Sequence, residues 1–79
     1  MILDAQHITA FQNYSKPLAK LEKSINKAGF PVVFRAFVAP RNIKMVEIIN
    51  KAQKHRKLLC IEWASPAQAV KEVAKAVGV

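Results

Sequence analysis

The chain has one cysteine, two glycines and only five acidic residues among 79. With Cys60 alone no intramolecular disulfide can form, and no Cys/His spacing typical of a structural metal site occurs. A reducing, intracellular and cytoplasmic setting is therefore expected. So few glycines leave no glycine-rich loop to cradle a phosphate. No apolar segment approaches the roughly 18 residues of a membrane span. Met1-Ile-Leu-Asp lacks the basic and long apolar regions of a signal peptide. Catalytic groups are equally sparse. A nucleophile, base and orienting group would have to come from Ser65, His7 or His55, and Asp4 or Glu62, and nothing in their spacing brings them together. His55 has no second ligand or base at usable spacing. The expectation is a non-enzymatic protein with no catalytic residue, cofactor or metal.

What is abundant is positive charge. Thirteen Lys and Arg against five Asp and Glu give a net charge of +8 and a pI near 10.1. A surplus of that size attracts polyanions such as RNA, DNA, a ribonucleoprotein or an anionic surface. Hydrophobic content is 52%, too high for a disordered chain. The length fits one domain with a small core.

Pro31 to Ala39 is a short, nearly continuous apolar run, rich in β-branched and aromatic residues, which predicts a strand buried on both faces. Around it the spacing predicts a helix over 16–28, a helix over 42–55, a strand over 57–63 and a helix over 66–77. Residues 1–14 fit either a helix or an edge strand. Gly29 suits the left-handed residue after the first helix. Asn42 is the expected N-cap of the second. Ser65, Pro66 and Gln68 form a capping box with its proline at the first helical position. A shift of 25 residues overlays 34–39 on 59–64, so the two halves read as strand–loop–helix units of equal length. The expected fold is α/β: a small αβαβα domain with a two-stranded, or three-stranded, parallel or mixed sheet and a right-handed βαβ crossover. Such a sheet leaves edges open, which suggests a third strand from the N-terminus, a homodimer or a larger assembly.

On the first helix Leu18, Leu21 and Ile25 share one side, and Lys16, Lys20, Lys23 and Lys27 the other. Four like charges at this spacing repel, with only Glu22 near enough to offset them, so the stripe is a candidate phosphate-tracking surface. As a plain solvated helix face it would need no ligand. Lys54, Arg56 and Lys57 surround His55 at the expected end of the second helix, where cations also offset the helix dipole. Arg41 lies at the expected rim of the sheet, where helix N-termini bind anions. Arg35 interrupts the first strand and is expected either to pair with Glu62 or to reach solvent. Trp63 reads as a core cap or as an anchor for a base or partner. Cys60, in an apolar strand, is expected to be inert.

The order helix, strand, helix, strand, helix in a small basic domain is similar to that of the ribosomal protein family that binds kink-turn RNA. Ser65 to Val79 stands where that family has its serine-started closing helix. The family's glycine- and asparagine-bearing RNA-contact turn has no counterpart before Pro31, so the likeness concerns fold alone and about half the chain. The sequence thus points to a basic binding module for nucleic acid or a ribonucleoprotein. The competing class is a small protein-interaction subunit, or a mobile-element inhibitor, binding a partner protein through its sheet edge with Arg35, Glu62 and Trp63.

Overall fold

In the computed structural model, which describes residues 1–52 and 54–78, two helices cover one face of a four-stranded mixed sheet. The α/β class expected from the sequence holds. In chain order the elements are β1 (Ile2–Leu3), α1 (Ser15–Lys27), β2 (Val32–Ala39), β3 (Ile43–Asn50), β4 (His55–Cys60) and α2 (Pro66–Val77). Single 3-10 turns lie at Ala5–His7 and Pro40–Asn42. The strands follow one another across the sheet; β1 is parallel to β2, and β2, β3 and β4 are antiparallel. The N-terminus thus supplies an edge strand, one of the two forms residues 1–14 allowed.

The main correction is β3. The described residues of 42–55 do not form a helix, and among the described residues there is no βαβ crossover. Met45, Ile48 and Ile49 fit a helical stripe, yet the structure buries Val46 and Ile48 completely or nearly so. Two residues apart, these share one face of a strand and opposite sides of a helix. Four of the eight residues in β3 are Ile or Val, whose branched side chains suit a pleated surface better than a helix. All eight pair in register with β2, from Ala39 opposite Ile43 to Val32 opposite Asn50. Pro40-Arg41-Asn42 is therefore a hairpin turn, not a helix entry. Asn42 is no N-cap; it adopts a left-handed φ of 60°, which asparagine tolerates well. β2 and β4 run in the same direction, as expected, but β3 separates them. The two-unit repeat and the likeness to the kink-turn-binding family both depended on the missing helix and fail with it.

The helices match their sequence signals. Ser65 Oγ accepts from the Gln68 backbone N–H at 3.2 Å, Pro66 is the first helical residue, and Gly78 closes α2 at φ 92°. At the end of α1 the N–H of Phe30 donates to the Ile25 carbonyl and that of Gly29 to the Asn26 carbonyl. This paired closure requires the left-handed residue supplied by Gly29, φ 100°. Phe11, Leu18, Ile25, Phe34, Val46, Ile61 and Val73 meet between helices and sheet. No helix among the described residues is long and apolar enough to cross a membrane.

α1 also closes most of one edge of the sheet. β1 pairs only with Arg35 and Ala36. Beyond it, Asn26 grips Val32 from both sides, accepting from its N–H at 2.9 Å and donating to its carbonyl at 3.1 Å. Glu22 accepts from the Phe34 N–H at 2.6 Å and from the Met1 ammonium at 2.6 Å. Side chains of a helix thus take the place of a longer edge strand.

Candidate nucleic-acid interface

The sharp division of α1 into apolar and basic sides survives folding. Leu18 and Ile25 are buried, Leu21 is half-buried, and Lys16, Lys20, Lys23 and Lys27 are all exposed. From Lys16 to Lys27 the stripe extends about 16 Å along the helix. Glu22 does not neutralise it. Its carboxylate is turned to the sheet and held by Phe34 and Met1. None of the four lysines forms an ion pair with a described residue. Each neighbouring pair repels by a few tenths of a kcal/mol, with no internal compensation.

The second basic group is arranged otherwise than expected. Lys54, Arg56 and Lys57 do not sit at a helix C-terminus, so no helix dipole accounts for them. Lys54 lies in the β3–β4 turn with φ 53°, and His55, Arg56 and Lys57 begin β4. Alternation along the strand sends Arg56 and Lys57 to opposite faces of the sheet. Arg56 faces away from the helices, its Nη1 3.8 Å from Glu47 Oε1. Lys57 lies beside Glu72 and Lys75 of α2. The turn itself sits where α1 ends, because the Lys51 N–H donates to the Pro31 carbonyl at 2.9 Å. Lys51 and Lys54 therefore join Lys27 at one end of the molecule. Recognising the hairpin in the sequence would have placed Lys51 in this group.

Arg35 pairs with Glu47, not with Glu62. The two residues are direct cross-strand partners, with Nη1 3.6 Å from Glu47 Oε1, and the guanidinium lies 4.8 Å above the Phe37 ring. Glu62 instead accepts from the Lys44 N–H at 2.8 Å, with Lys44 Nζ 3.6 Å away. Trp63 is not a core cap. It follows β4 and is 94% exposed. Cys60 is free and exposed. Arg41 occupies the β2–β3 turn with φ 71°.

One face of the sheet carries no helix. Val33, Arg35 and Phe37 of β2, Met45, Glu47 and Ile49 of β3, and Arg56, Leu58 and Cys60 of β4 alternate with the buried set and share that face. An antiparallel sheet with one open side ordinarily alternates apolar with polar residues. Here the outer side is mostly apolar, and Glu47 with its two arginines is its ionic centre. This explains why β2 reads as buried on both faces while the fold covers only one.

Among the described residues no group of three or more His, Cys, Asp or Glu is placed to hold a metal. No family model, curated protein or solved structure matches this chain.

Proposed function

We propose that this chain is a non-enzymatic basic module that docks on the phosphate backbone of RNA or DNA, alone or within a ribonucleoprotein, through the exposed side of α1. The observation that carries this reading is the uncompensated lysine stripe. Four cations line one rigid helix, and the carboxylate that sequence spacing offered as their partner is bound elsewhere. Lys51 and Lys54, in the turn held to Pro31 just beyond α1, add positive charge at that end. Arg56, already paired with Glu47 on the other face, contributes less.

Counterion release supplies the test. With about six phosphates neutralised, the slope of log affinity against log salt should be near −4 to −6. Changing Lys20, Lys23 and Lys27 to Gln should flatten it by about 2 to 3 and weaken all sequences alike. The comparison variant, Lys54, Arg56 and Lys57 to Gln, should lose less. A larger loss in the comparison variant, with both folded, would move the surface to the hairpin. No retention on any polynucleotide at low salt would discard the proposal.

A second reading rests on a different observation. The uncovered apolar sheet face and the exposed Trp63 are the features of a protein-binding surface, and β4 pairs with no further strand among the described residues. A partner protein, or a second copy or larger assembly joined at the edge, would cover them. A small protein-interaction subunit or a mobile-element inhibitor belongs to this class. A salt-insensitive interaction would favour it.

A further inference from the structure

The groove between the Ala5–His7 turn and the β2–β3 hairpin has a volume of about 820 Å³, within the range of sites that hold a small molecule. Val38, Ala39 and Pro40 supply apolar lining, while Arg41, Asn42, Lys44 and His7 bring polar groups. No carboxylate is among the lining residues. Asp4 Oδ2 stands 4.0 Å from His7 Nδ1, and Glu62 pairs with Lys44, leaving Arg41 without an ion-pair partner among the described residues. His7 Nδ1 is buried and has no hydrogen-bond partner among the described residues.

The backbone at Arg41 adds a separate observation. Its φ of 71° is left-handed, followed by Asn42 at 60°. That conformation suits glycine or asparagine, whereas for arginine it is costly. A hairpin turn alone would be better served by Asn or Gly at this position. Strain of this kind is retained where the side chain has a task. The task that fits a guanidinium beside an apolar-lined groove is to hold an anion whose remainder packs on that lining.

We propose that this groove binds a nucleotide-sized phosphate monoester, with Arg41 on the phosphate and the Val38–Pro40 segment against the organic part. The site goes beyond the docking role proposed for α1 and does not require it, since none of the four stripe lysines lines the groove. Adenosine 5′-monophosphate, adenosine and inorganic phosphate are the probes, titrated into the full chain and followed by NMR. The monophosphate should shift the Arg41 and Asn42 amides and bind more tightly than either other probe. Arg41→Asn should weaken it by about ten- to a hundredfold, the loss of one charge-assisted hydrogen bond. The same variant should melt no lower than the parent, and higher if the strain is released. The variant lacking Lys20, Lys23 and Lys27 should bind the monophosphate unchanged, even if its polynucleotide binding is lost.

Absence of shifts at the groove would overturn the proposal. So would inorganic phosphate binding as tightly as the monophosphate, because the apolar lining would then be unused. A lower melting midpoint in Arg41→Asn would show that arginine serves the turn. Loss of monophosphate binding in the lysine variant would reduce the effect to general charge.

Discussion

Asn26 offers the sharpest test of how α1 holds the sheet. Its side-chain amide satisfies both backbone groups of Val32, a residue 2% exposed at the start of β2. β1 is too short to do so, since it reaches only Arg35 and Ala36. Asn26→Ala removes two hydrogen bonds and leaves a donor and an acceptor behind. Each bond is worth about 0.5–1.5 kcal/mol net, and an orphaned buried group costs about 1–3 kcal/mol. Partial access of water to this edge favours the lower end, so a total of about 2–3 kcal/mol is expected. A domain of this size has roughly 4–12 kcal/mol of stability, so the loss is a substantial fraction. In thermal unfolding it corresponds to a fall of about 10–20 °C. Asn26→Asp keeps the acceptor for the Val32 N–H and loses only the donor to its carbonyl, so it should fall between parent and Ala variant. Circular dichroism against temperature and urea gives the ranking, and amide exchange at Val32 should quicken in the Ala variant. Equal midpoints for the parent and Asn26→Ala would mean that α1 does not secure this edge.

Two further substitutions test the elements themselves. Ile48→Ala should cost about 2–4 kcal/mol and Ile49→Ala under about 1.5 kcal/mol, because the strand buries only the first; equal costs in denaturant unfolding would restore the helix over 42–55. Ser65→Ala should lower stability by about 0.5–2 kcal/mol through loss of the bond from the Gln68 N–H, and an unchanged urea midpoint would remove the cap from α2.

Sequence by itself determined the elements whose signals are local. Ser65-Pro66 with Gln68, and Gly29 after a divided helix face, specify helix ends through the hydrogen bonds of a few neighbouring residues. The apolar density of 32–39 specified a strand, and net charge specified a polyanion-attracting surface. Tertiary structure alone decided what depended on pairing. Residues 43–50 carry apolar side chains at spacings that fit a helical stripe (Met45, Ile48, Ile49) as well as a strand face (Val46, Ile48). Only hydrogen bonding along the whole of β2 settled the choice, and at the middle of the ladder it needs partners ten to twelve residues away, Ala36 opposite Val46 and Arg35 opposite Glu47. With β3 in place several charges found partners or positions other than those expected. Arg35 met Glu47 across the ladder, Lys44 took Glu62, and the run Lys54 to Lys57 was split between a turn and two faces. The orientation of Glu22 was equally out of reach of the sequence. A carboxylate among four lysines looks like their counterion until the fold sets two N–H groups of its own, from Met1 and Phe34, within 2.6 Å of it. Hydrogen bonds at the sheet edge outweigh screened attraction on a solvated helix face, and that difference leaves the lysine stripe uncompensated.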